Sequence, residues 1–278
     1  MTAAVAIPLT RGVRVAASAR RIQALVLRYL LLLRRDASRV IDTFQWALID
    51  VVIWGFLTVY VAGSGAALQN PIAIFLGAAI LWNLFFRCSQ DVSVSFLDDV
   101  WARSLVTVFA SPLKVWEFAA AIMLLGLVKL ALTLVVMAAA AWALYAFNFF
   151  TLGIALVPFI ANLVLLGWTV GLVSLALILR FGGRWGILAW SLPVLLMPFG
   201  SVFYPESVLP PFARAIAQAV PLNHVFEGMR AVAASGEVAW EKLALATAEN
   251  LVYLALASLL VALVFRLALR RGLLPKVH

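Results

Sequence analysis

Charge and sulfur are what this chain has least of. Only 12% of its 278 residues are charged, with 21 Lys and Arg against 12 Asp and Glu. Its single cysteine, Cys88, excludes an intramolecular disulfide and any cysteine-based metal cluster. There are two histidines, His224 and His278. His224 and Glu227 make an H-x-x-E pair without further ligands nearby in sequence, so no metal site is expected. None of the 16 glycines is followed by lysine, which removes the GxxxxGK[ST] loop that cradles phosphates. HExxH is absent, and no second histidine is placed to activate a serine. Asp98-Asp99 lacks the second acidic cluster that an intramembrane magnesium–diphosphate site would need. The chain is therefore not expected to be an enzyme or to hold a cofactor. No short apolar core with a small-residue cleavage site opens it, so no cleavable signal peptide is expected.

What the chain has is apolar length. It is 65% hydrophobic, with 18 Phe and 10 Trp. A bilayer core about 30 Å thick accepts roughly 20 apolar helical residues per crossing. Six blocks meet that need, at about 42–61, 72–87, 116–146, 151–179, 185–203 and 244–266. They run continuously apolar, without the alternation of barrel strands, so helices are expected. No internal repeat or low-complexity linker is evident. The expected fold is all-α and polytopic, one membrane domain over 1–278.

The basic residues orient it. All but Lys129, Arg214, Arg230 and Lys242 of the 21 fall before the first block, after the last, or in the second and fourth connections. Positive charge stays cytoplasmic, which places both termini inside. The net charge of +9 thus reads as membrane orientation. No basic patch combines with base-stacking aromatics on a soluble domain, so nucleic acid is not an expected partner.

Three segments between the blocks have helical character. In 12–35, Arg14, Arg21, Arg28 and Arg35 recur every seven residues, a stripe that drifts by only about 20° per repeat. Such a helix suits the headgroup boundary, touching anionic lipid, a cytoplasmic partner or both. In the second connection, Asp98 and Asp99 are placed to open a short helix over 98–110. Trp101, Leu105, Val108 and Phe109 follow at helical spacing, and Ser111-Pro112 ends the run. Outside, 209–235 forms two short pieces that each begin with proline, expected to dip into the outer leaflet and return.

Polar residues inside the blocks are few. Lys129 lies well within the third block, where an ammonium costs about 2.5–3.5 kcal/mol and so must face protein or water. Asp50, in the first block, is its expected partner; the alternative is that each lines an aqueous path separately. Glu227 and Arg230 are spaced for an i,i+3 pair, read either as a local brace or as part of an outer gate. Gly167 and Gly171 permit close helix approach.

The order of these parts, with the stretches LVLRYLLLLRRDASRVIDTFQWALIDVVIWGFL, DDVWARSLVTVFASPLKVWEF and LPPFARAIAQAVPLNHVFEGMR, resembles the membrane subunits of type-2 ATP-binding-cassette exporters. In the second stretch Asp99, Ser104-Leu105, Pro112-Leu113 and Glu117 follow the family's order, with Arg103-Ser104 where Gly-Thr is usual. In the third, Pro221, Leu222, Glu227 and Arg230 match, with Val220 in place of Asn. The resemblance implies six spans, an interface helix, a coupling helix and a re-entrant outer hairpin. It also implies pairing with a second copy, and cytoplasmic ATPase subunits that carry ATP and magnesium. Asp98, Asp99, Trp101, Arg103, Ser104, Leu105, Phe109 and Pro112 would then form the ATPase contact, and Pro221, Glu227 and Arg230 the outer gate. The implied activity is outward movement of an amphipathic or lipid-linked glycan, lipid or drug across a bacterial inner membrane. The alternatives are an ion-driven carrier, which the missing inverted repeat disfavours, and a membrane scaffold with no transport cycle.

Overall fold

The computed structural model describes residues 11–35, 37–64, 71–101 and 113–270. Among these there are helices and turns and no strand. The helices are α1 (Arg11–Arg35), α2 (Ala37–Gly63), α3 (Pro71–Trp101), α4 (Val115–Tyr145), α5 (Leu156–Phe181), α6 (Leu188–Leu196), α7 (Pro211–Ala217), α8 (Pro221–Ser235) and α9 (Trp240–Arg270). Five stretches are long and apolar enough to cross a membrane: Phe44–Gly63, Pro71–Trp101, Trp116–Tyr145, Phe149–Phe181 and Trp240–Ala268. The chain is thus an all-helical, multi-pass membrane protein.

Two boundaries depart from the sequence reading. The second block was expected to end at residue 87, yet α3 continues to Trp101. Arg87 suggests a membrane edge, but Val92, Phe96, Leu97 and Val100 beyond it are buried against neighbouring helices. Asp98 and Asp99 consequently lie in the last turn of α3 and do not open a short helix. Over 185–203, no continuous helix forms. A 3-10 turn at Gly183–Ile187 leads into the nine residues of α6, which carry Pro193 inside them, and turns follow through Phe203. Proline has no N–H to donate, and Ser201 has a left-handed φ of 49°, so the regular ladder is interrupted twice.

α3 is the central rod, packed most extensively against α5, which in turn packs along α9. Lipid supplies no hydrophobic drive between helices, so close contact has to come from small residues and polar links. Both occur here. A Cβ on Gly167 would sit 2.7 Å from the Cys88 Cβ, and one on Gly171 would sit 2.6 Å from the Val92 Cβ and 2.8 Å from the Ser89 carbonyl oxygen. The two glycines therefore mark the place where α3 and α5 touch nearly backbone to backbone. Cys88 is a packing residue at that crossing, buried and 3.6 Å from the Val164 carbonyl. Between α5 and α9, the Asn250 amide donates to the Asn162 side-chain oxygen at 2.9 Å and to its backbone carbonyl at 3.1 Å.

Candidate functional site: ion pairs flanking residues 102–112

α1 lies beside α4 and α2, and its arginine stripe does not simply face lipid. Arg21 grips Glu117, with Nε donating to Oε2 at 2.9 Å and Nη2 to Oε1 at 2.6 Å. Two parallel N–H donors on two carboxylate oxygens form the fork geometry that makes Arg–carboxylate pairs directional. Arg21 Nη2 also donates to Ser18 Oγ at 3.1 Å. Glu117 is fully buried and has a further task. As the third residue of α4 it accepts the Lys114 backbone N–H at 3.0 Å, half of a capping box that starts the helix.

Seven residues along α1, Arg28 Nη2 donates to Asp99 Oδ1 at 3.1 Å, and the buried Tyr29 hydroxyl makes a short hydrogen bond to Asp99 Oδ2. Asp99 is only 3% exposed, so its charge requires these partners. Burial, and then the Asp99 carboxylate beside it, push the Tyr29 phenol well above its usual value. Arg35 is solvent-exposed. The Arg14 side chain, like Arg103, Ser104, Leu105, Phe109 and Pro112, lies outside the described residues. Trp101, the last described residue before that gap, is exposed.

The geometry has a simple content. Asp99 precedes residues 102–112 and Glu117 follows them, and both are tied to one helix at points about 10.5 Å apart along its axis. α1 thus links the end of α3 to the start of α4. Seven-residue spacing exposes the stripe in the sequence, but not which carboxylates it meets, and Tyr29 has no spacing signal of its own.

The intramembrane pair is not the expected one. Lys129 Nζ lies 2.8 Å from Asp91 Oδ1, while Asp50 Oδ2 accepts from the Asn83 amide at 2.8 Å. Asn83 and Asp91 are eight residues apart on α3, so the two contacts occupy levels about 12 Å apart. Gly126, one turn before Lys129, leaves room for the approach: its Cβ would meet the Asp91 Cβ at 3.3 Å. A second block ending at 87 leaves Asp91 outside it, and only the continuation of α3 to Trp101 brings Asp91 opposite Lys129.

At the opposite end, Glu227 is a hub. Its Oε1 accepts from Arg230 Nη2 at 2.7 Å and from the Glu206 backbone N–H at 2.9 Å, and Lys242 Nζ stands 3.7 Å from Oε2. Burial pushes the Glu227 carboxyl up, but the Glu206 N–H, Arg230 and Lys242 outweigh it and hold it below the usual range. Glu206 itself accepts from Gln218 at 3.0 Å and Asn223 at 3.1 Å. Pro221 is buried at the first turn of α8. His224 Nε2 lies 3.1 Å from the Gln218 carbonyl and 3.6 Å from Glu249. Glu206, from the turn before α7, and Lys242 and Glu249, both from α9, meet α8 only through tertiary packing, which spacing along the sequence does not show. Among the described residues no group of His, Cys, Asp and Glu is arranged to hold a metal.

No curated protein matches this chain by sequence. The family pattern described as ABC-2 type transporter matches residues 20–233, from within α1 to the end of α8. With its membrane-crossing helices and that match over most of its length, the chain belongs to the ABC-2 type transporter family, as a transmembrane permease.

Proposed function

We propose that this permease is the membrane half of an ATP-driven exporter, with residues 98–110 as the contact for a separate cytoplasmic ATPase that holds ATP and magnesium. The observation that carries this reading is the double tie of α1 to Asp99 and Glu117, on either side of 102–112. A segment meant to receive force needs stiff attachment at both ends, and rigid-body gating then follows from displacement of the attached helices. A second copy of the chain pairs with the first around a central path. The broken stretch 183–203 supplies the sixth crossing, in a bent form, which leaves both termini in the cytoplasm of a bacterial inner membrane. The hairpin 209–235 then lies at the outer face, with Pro221, Glu227 and Arg230 shaping the gate. The apolar spans and the pairing of Lys129 and Asp50 with neighbouring side chains favour an amphipathic or lipid-linked cargo over an ion.

The test is ATP turnover in lipid by the chain co-purified with its candidate ATPase. Trp101→Ala combined with Leu105→Asp is expected to abolish assembly or to uncouple hydrolysis from transport. An unchanged complex with unchanged turnover would refute the contact.

A further inference from the structure

Two grooves run between α5 and α9, and they differ in one respect. The upper one, about 330 Å³, includes Thr169 and Tyr253 in its lining but no charged residue. The lower one, about 250 Å³, is walled by Leu177 and Phe181 of α5 and Leu260, Leu263 and Leu267 of α9, with Arg180 among them. α5 and α9 run in the same direction: Asn162 and Asn250 join near their starts, and this groove lies near their ends. The Arg180 guanidinium stands 5.6 Å from the Phe181 ring centroid. Arg270 follows Leu263 by two helical turns and extends the flank of the groove beyond Arg180's level.

Three arginines elsewhere in the fold are held by carboxylates: Arg21 by Glu117, Arg28 by Asp99 and Arg230 by Glu227. Among the described residues none pairs with Arg180, Arg266 or Arg270, all three of which are exposed. They are therefore open to an anion from outside the chain. An aliphatic slot that ends in guanidinium groups complements a hydrocarbon tail beneath a negatively charged headgroup. Basic pockets between spans on the cytoplasmic side have this chemistry.

We propose that the lower α5–α9 groove binds an anionic phospholipid, its acyl chain along Leu260, Leu263 and Leu267 and its phosphate on Arg180 and Arg270. The site takes a resident lipid of the cytoplasmic leaflet; the leaflet, though not the lipid's chemistry, rests on the orientation proposed above.

The purified chain would be placed in phosphatidylcholine nanodiscs with and without phosphatidylglycerol, and its retained lipid read by native mass spectrometry alongside its melting temperature. Wild type is expected to retain phosphatidylglycerol selectively and to melt higher in its presence. Arg180→Ala is expected to weaken retention roughly 5-fold, and the double change with Arg270→Ala roughly 25-fold. Arg180→Lys with Arg270→Lys should keep most of it. Melting in phosphatidylcholine alone, unchanged across these exposed variants, checks that each one folds. Equal retention of the two lipids by wild type, or undiminished selectivity in the double Ala variant, would overturn the site. Labelling of an Arg184→Cys variant by a membrane-impermeant maleimide in oriented vesicles reports the leaflet separately. Outer-face labelling with selective retention intact would overturn the orientation and leave the lipid site standing in the other leaflet.

Discussion

At the scale of single residues, stability rests on charges that cannot be left alone. Tyr29→Phe removes a hydrogen bond to the buried Asp99 carboxylate, a class of contact worth about 1.5–3 kcal/mol, and should lower the melting temperature in lipid. Lys129→Met strands Asp91 within the membrane and should reduce the folded yield. Adding Asp91→Asn should recover much of it, since deleting both charges removes the imbalance. Glu227 brings a pH dependence of known sign. Its folded carboxyl titrates below the usual value near about 4.3, so its stabilising contribution is complete above that value. The contribution fades as pH falls through the depressed one. Melting curves taken from neutral pH down through this window should show a shallower acid decline in Glu227→Gln than in wild type. A steeper decline in the variant would mean the carboxyl is not held by its cationic neighbours.

At the scale of elements, the helices were largely legible and their meetings were not. Composition and continuous apolar runs are local properties, so the long helices follow from them. The partner of Lys129 depends on the length of α3, and a basic residue at 87 made α3 look shorter than it is. Likewise the seven-residue stripe on α1 identified a face, while Asp99 and Glu117 reach that face only through the packing of α3 and α4. The proline break in α6 shows the opposite limit: 185–203 is apolar enough for a span, yet Pro193 and the turns around Ser201 prevent a regular one. The glycine spacing at 167 and 171 was legible, but the identity of the crossing helix was not. That crossing predicts that Gly171→Ala costs about 1–3 kcal/mol, because its new methyl meets the Ser89 backbone, which cannot rotate away. Gly153→Ala tests backbone conformation instead, since its φ of 63° disfavours a side chain although the space there is open. Thermal unfolding of both variants in the same lipid would separate the two mechanisms.

For the whole molecule, the α1 ties make a prediction about coupling. Reversing Arg21 to Glu should uncouple ATP turnover from transport in the assembled complex. Combining it with Glu117→Arg should restore coupling in part, because the pair is rebuilt with its signs exchanged. A double variant no better than the single one would mean that the capping role of Glu117 matters more than the tie. The unbroken length of α3 has a mechanical consequence. Its close contact with α5, at Ser89 and Val92, divides the rod unequally, leaving about 17 Å on the Trp101 side and about 29 Å on the Pro71 side. A rod that tilts about such a fulcrum moves its long arm further than its short one. A small push beside Trp101 would swing the Pro71 end through roughly 1.7 times the distance, in the opposite direction.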